Sequence, residues 1–203
     1  MQNILFIQSS PRGSASISSK IGRGIVDQLI KQDPKLTVIH RDLANTPAPH
    51  LLQPEQIAPF FTPAENHSAT DKELIRYSNE AIQELMKADI IVIATGMYSF
   101  TVSSVLKSWF DQVSRAKITF QYTPQGPEGL VKGKKVYLAL ASGGVYSEGP
   151  AKPMDFVLPY LISVLGFLGM TDVTVVRVEG AGIAGFQEDT AIKNALNSTD
   201  FKI

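Results

Sequence analysis

The sequence predicts an α/β domain built on a parallel sheet wound by helices on both faces. Two observations carry this. Five short runs, at 4–7, 36–40, 90–94, 136–141 and 173–178, are rich in Ile, Val and Leu. Several are apolar at nearly every position rather than at alternate ones, as strands covered on both faces are. Between them lie segments with helical period. Leu74, Ile75, Ser78, Ala81, Ile82, Leu85 and Met86 form one stripe; Val102, Val105, Leu106, Trp109, Phe110 and Val113 form another. Strand alternating with helix implies right-handed crossovers between parallel neighbours.

The bulk properties agree with one such domain over residues 1–203. The chain is 44% hydrophobic and 19% charged, ordinary for a globular protein. Nineteen basic residues balance nineteen acidic ones, so the overall basic charge that favours nucleic acid is missing. Cysteine is absent, which excludes disulfides, thiolate metal sites and cysteine nucleophiles. The opening residues show no basic region before a long apolar run, so no signal peptide is expected. The most apolar stretch, 157–170, is shorter than the ~20 residues of a membrane helix and contains Pro159, Gly166 and Gly169. It reads as a buried or interface helix of a cytoplasmic protein, in which the glycosylation-like triplets at Asn66 and Asn197 carry no weight. Residues 45–62, with Pro47, Pro49, Pro54 and Pro59, read as an irregular excursion.

Sheets of this kind bind ligands beyond the carboxyl ends of their strands, which directs attention to three loops. After the first strand, Ser9-Ser10-Pro11-Arg12-Gly13-Ser14-Ala15-Ser16-Ile17-Ser18 leads into a helix. Hydroxyls and free amides at a helix start suit a phosphate, although the same residues also make a turn and a helix cap. Neither the P-loop nor the dinucleotide glycine pattern is present. After the third strand, Met97-Tyr98-Ser99-Phe100 follows Gly96; its aromatics suit a planar ring or the core equally. After the fourth, Ala141-Ser142-Gly143-Gly144 could bring amides close to a carbonyl edge, or simply turn the chain. A phosphate cup, an aromatic platform and a glycine edge after strands one, three and four are the parts of an FMN site.

On these residues the sequence resembles the FMN-dependent NADH-azoreductase and NAD(P)H:quinone oxidoreductase family. The resemblance spans nearly the whole chain. It is densest at Met97–Phe100, at Leu106-Lys107-Ser108-Trp109-Phe110-Asp111 and across 118–130; Gly143-Gly144 followed by Gly149-Pro150, and Leu165-Gly166-Phe167-Leu168-Gly169, also fit. It implies a flavodoxin-like doubly wound sheet of five parallel strands, bound FMN, NADH or NADPH as donor, quinones and azo compounds as acceptors, and a homodimer with no membrane or nucleic-acid partner. By the resemblance, Ser10, Ser16, Ile17 and Ser18 would hold the phosphate. Met97, Tyr98, Ser99 and Phe100 would underlie the isoalloxazine, and Ala141, Ser142, Gly143 and Gly144 would meet its pyrimidine edge. Two residues depart from the family pattern: Ala141-Ser142 replaces the usual Ser-Arg, and Lys117 stands where glycine is usual.

With flavin carrying the chemistry, no catalytic side chain is required. His40, His50 and His67 are not grouped with acids or with each other, so no metal is expected. Phe120 and Tyr122, together with Phe60, are the expected substrate walls, with local packing as the alternative for each. Trp109 and Phe110 read as core or subunit interface. A flavodoxin-type electron carrier or a flavin-binding regulatory module would share the fold. A carrier would call for the strong charge field that this neutral chain lacks.

Overall fold

The computed structural model describes residues 2–203. Seven strands form: β1 (Asn3–Gln8), β2 (Thr37–Asp42), β3 (Ile90–Gly96), β4 (Phe120–Thr123), β5 (Gly126–Gly129), β6 (Lys135–Ala141) and β7 (Asp172–Val178). Five of them make one parallel sheet in the order β2-β1-β3-β6-β7, while β4 and β5 pair antiparallel as a separate hairpin. The helices are α1 (Ile17–Gln32), α2 (Pro54–Phe61), α3 (Ala69–Leu74), α4 (Arg76–Lys87), α5 (Ser104–Val113), α6 (Val157–Leu168) and α7 (Glu188–Asn197). This is the flavodoxin-like order, with a switch point between β1 and β3.

The apolar runs are continuous because the sheet feeds two cores. From β1, Ile4 and Phe6 enter the core under α1 and α7, beside Ile21, Ile25 and Leu29. Leu5 and Ile7 enter the other, beside Leu106, Trp109, Leu161 and Leu165 from α5 and α6. All four β1 residues are fully buried, each contributing on the order of 1.5–3 kcal/mol by leaving water.

The five expected strands are all present, with ends moved by one or two residues. Two details differ. The stretch 45–62 is not irregular throughout: α2 begins with Pro54, whose missing N–H costs nothing in a first turn. The Gln56 side chain accepts the Leu52 and Gln53 amides and so fixes its start. The stripe beginning at Leu74 is broken at Ile75, where α3 ends and α4 begins, and its last member, Met86, is 42% exposed. The 157–170 stretch forms α6, closed by Gly169 in the left-handed conformation. Among the described residues no helix is long and apolar enough to cross a membrane.

Candidate active site

The three loops converge. Ser10, Ser16, Ile17, Met97, Tyr98, Ala141, Ser142 and Gly143 share the wall of one cavity of about 320 Å³ at the carboxyl ends of the strands. Arg12, Gly96, Ala181 and Gly182 complete it; Arg12 and Gly96 belong to the loops named above, whereas Ala181 and Gly182 do not. The run Gly180-Ala181-Gly182 after β7 was the missed signal, a fourth glycine-rich loop at the same edge.

The first wall is the start of α1. Ser16 stands at the N-cap, yet its hydroxyl does not cap the helix. It pairs with Ser18 Oγ at 3.0 Å, and both residues are buried. The Lys20 amide bonds the Ser16 carbonyl, whereas the Ile17, Ser18 and Ser19 amides find no acceptor among the described residues. Orphan donors, buried hydroxyls and the positive end of a 16-residue helix therefore meet at one point. Ser10, also buried, shares a hydrogen with Tyr98 Oη at 3.1 Å and so ties this cup to the next wall.

That wall is a strained turn. Tyr98 and Thr101 exchange backbone hydrogen bonds of 2.8 and 3.0 Å, leaving Ser99 and Phe100 as a two-residue hairpin turn. Both have positive φ, +46° and +69°. For side chains other than Gly or Asn this costs about 1–2 kcal/mol each. Their amides are free, and the Phe100 ring meets Tyr146 edge-on at 6.3 Å. Met97 still packs against the core, but Tyr98 and Phe100, 37% and 39% exposed, are held out from it, against the core reading of those two.

The third wall presents donors. The carbonyls of Gly143 and Gly144 are occupied by the amides of Gly182 (2.8 Å) and Gly180 (3.1 Å), while their own N–H groups have no partner among the described residues. Ser142 Oγ donates back to the Gly144 carbonyl at 2.8 Å, so this departure from the family pattern braces the loop. A Cβ added to Gly143 would meet nothing nearer than Gly182 N at 4.0 Å, which leaves that face of the backbone open to a ligand. An anion at one end, a flat ring along the strained turn and a carbonyl edge at the other end match what these walls offer. FMN has those three parts, and the residues fit it.

Phe120, Tyr122 and Phe60 are not brought to this cavity. The β4–β5 hairpin docks on the far end of α6, where the Val131 amide bonds the Leu168 carbonyl at 2.9 Å. Gly129 allows that approach, since a Cβ there would collide with the Leu168 and Gly169 backbone. A small void behind the cavity reaches Val157 at the other end of α6, about 18 Å away over twelve residues. Phe120 is buried against Phe167 at 4.4 Å, and Tyr122 is 75% exposed. Phe60 lies under the Arg115 guanidinium at 4.8 Å. Trp109 and Phe110 are core. Lys117, at the hairpin's base, has φ +66°, which is why glycine suits that position.

The histidines lie apart from the cavity. His50 bonds Ser108 Oγ, and His67 bonds the Pro59 and Thr62 carbonyls. His40 stacks on Phe6, where burial, helped by Arg23, lowers its pKa. Among the described residues no three His, Asp or Glu side chains gather as a metal site would need. Two other cavities are larger, about 380 Å³ beside Ser9, Asn45 and Ser104, and about 370 Å³ at the opposite ends of the strands, where the lysines are spent: Lys135 pairs with Asp172, and Lys134 donates to the Met86 carbonyl. Free donors, not volume, distinguish the site between the three loops.

Comparison with known proteins agrees with this geometry. Residues 2–200 match the family described by its flavodoxin-like fold. An FMN-dependent NADH:quinone oxidoreductase of Agrobacterium fabrum is 45% identical over 203 residues, covering 100% of this chain and 97% of that one. One from Mesorhizobium japonicum is 43% identical over 198 residues, covering 98% and 94%. The crystal structure of an azoreductase from Bacillus anthracis has a TM-score of 0.88 at 28% identity, covering 98% of this chain and 96% of its own. The chain belongs to the flavodoxin-like-fold family, among relatives named FMN-dependent NADH:quinone oxidoreductases.

Proposed function

We propose that this protein is an FMN-dependent oxidoreductase that takes electrons from NADH and delivers them to quinones and azo compounds, acting as a cytoplasmic homodimer. The observation that carries the reading is the meeting of free donors at both ends of one cavity. Amides at the start of α1 stand at one end and that of Gly143 at the other, with the free Gly144 amide next along the same loop. Bound there, FMN supplies two-electron transfer between a nicotinamide and a flat acceptor. The chain's part is to hold and to polarise. Ser10, Ser16, Ser18 and the first amides of α1 seat the phosphate without a lysine. The rigid turn at Ser99-Phe100 supports the ring from one side. The Gly143 and Gly144 N–H groups, already aimed, stabilise negative charge at the pyrimidine edge as an oxyanion hole does. No acid–base pair is required of the protein.

Two features support the homodimer. α6 carries no charged residue along its length, and its outer side leaves Ile162 45% exposed, with Phe156 just before it at 57%. Tyr122 and Phe61, 75% and 77% exposed, line no wall of their own cavity. A two-fold copy would cover the helix and bring these aromatics to the other subunit's open face. The test is direct. The purified protein is assayed for bound flavin and for NADH loss with and without benzoquinone, and sedimentation reports its state at micromolar concentration. A protein that takes up no FMN refutes the first reading; an active monomer refutes the second.

A further inference from the structure

One carboxylate anchors the loop that offers the Gly143 and Gly144 amides, and another anchors the start of α6. Glu179, just beyond β7, accepts the amides of Tyr146 (2.7 Å) and Ser147 (3.0 Å) on Oε1, and Ser147 Oγ donates to its other oxygen. Asp155, just before α6, accepts the amides of Val157 (3.0 Å) and Leu158 (3.2 Å) on Oδ1, satisfying two donors of the helix start. Between them the Phe156 amide bonds the Phe100 carbonyl at 3.0 Å, so α6 begins attached to the strained turn. One cation joins the two anchors. Arg177 donates through Nη2 to Asp155 Oδ2 at 2.8 Å and through Nη1 to Glu179 Oε1 at 3.3 Å. The three side chains keep only 16%, 10% and 13% of their surface. Arg177 also borders a small void behind the main cavity, whose other walls include Met97, Ala141 and Ser142, residues that face FMN's proposed seat as well.

Two enclosed carboxylates so near the glycine loop would leave a charge of −2 where reduction of the flavin adds negative charge; Arg177 brings it to −1. We propose that Arg177 is a positioning residue for the flavin's pyrimidine edge. It locks the glycine loop to the platform turn and screens their two carboxylate anchors. The inference rests on the functional reading above.

Apoprotein of the wild type, Arg177→Met, Arg177→Lys and Glu179→Gln is titrated with oxidised FMN, and the potential of the bound flavin is measured for each. Arg177→Met is expected to weaken FMN binding about tenfold, because it leaves an uncompensated carboxylate pair. It should weaken reduced FMN about tenfold more than oxidised, which is a potential lower by about 30 mV. Arg177→Lys, which restores the charge, should recover most of the potential. Glu179→Gln keeps an oxygen for the loop amides and removes one negative charge, so its potential should rise. This variant also carries the test if Arg177→Met does not fold. A role limited to stability would lower melting temperatures without moving the potential in opposite directions. Unchanged potentials in Arg177→Met and Glu179→Gln, or an Arg177→Lys no better than Arg177→Met, would overturn the inference. A wild type that binds no FMN would overturn the reading of the cavity and this inference with it.

Discussion

Replacing Ser16 and Ser18 together by alanine tests the phosphate cup without disturbing the helix that carries it. An N-cap serine exchanged for alanine usually costs about 0.5–2 kcal/mol, because its oxygen holds an early amide. Here that bond is absent, since Ser16 Oγ is paired with Ser18 Oγ at 3.0 Å. Removing both members of a buried hydrogen-bonded pair leaves no orphan, and such exchanges are nearly neutral in stability. Removing one leaves the other unsatisfied and costs about 1–3 kcal/mol. The double variant should therefore melt close to wild type and above either single variant. Toward a phosphate dianion the hydroxyls count differently, at about 1.5–3 kcal/mol each. Losing both weakens FMN by about 3–6 kcal/mol, roughly 100- to 10 000-fold at 1.4 kcal/mol per decade. Titration of the apoprotein with FMN and with riboflavin, which lacks the phosphate, isolates this contribution: only FMN should lose affinity. An FMN affinity unchanged in the double variant, or riboflavin weakened equally, refutes the cup.

Gly143→Ala should fold as wild type does, since the new methyl meets no atom nearer than Gly182 N at 4.0 Å. It should still weaken FMN by about 1–3 kcal/mol, because the methyl occupies the ligand's side of the loop; equal flavin affinity by titration would argue against that edge. Lys117→Gly removes a left-handed lysine. Relief of about 1–2 kcal/mol, less about 0.5–1 for glycine's greater loss of freedom, predicts a slightly higher melting temperature. Phe120→Ala should cost about 3–5 kcal/mol in denaturant unfolding, as a core phenylalanine does. Tyr122→Ala should leave stability within about 0.5 kcal/mol yet alter kcat/KM ratios among quinones and azo dyes of different size; an identical acceptor ranking would remove Tyr122 from the substrate wall.

Most of the fold was readable because its physics is local. Ile4 to Ile7 could only be a strand buried on both sides, and the two cores confirm why no polar residue alternates among them. The excursion at 45–62 was harder: four prolines argue against a helix until one of them, Pro54, is seen to occupy a first turn. The site was readable in outline for the same reason, since a loop after a strand of a parallel sheet has only one end to occupy. Its energetics were not. Nothing in Ser99-Phe100 signals positive φ, for which Gly or Asn is the usual sign. The Ser16–Ser18 pair depends on rotamers. Arg177 was visible only as one charge interrupting Val173-Thr174-Val175-Val176-Arg177-Val178, an interruption that becomes informative once Asp155 and Glu179 are found on either side of it.

The aromatic wall exposes the limit of motif reading. The stretch 118–130 carries the densest family likeness, yet its hairpin hangs at the wrong end of α6 for the cavity of its own chain. Sequence order assigns a residue to an element and an element to a sheet end, but not to a subunit. Phe120 resolves into two roles that one letter cannot separate. Its ring fills the space beside Phe167 and thereby presents Tyr122, whose ring stands edge-on to it at 5.6 Å, outward to solvent. Under the proposed two-fold assembly the core phenylalanine is what aims the exposed tyrosine across the interface. Under the same proposed symmetry, α6 needs no charge to offer water over its twelve residues. A helix that has an apolar face toward its own core and another toward a copy of itself has no polar side left to encode.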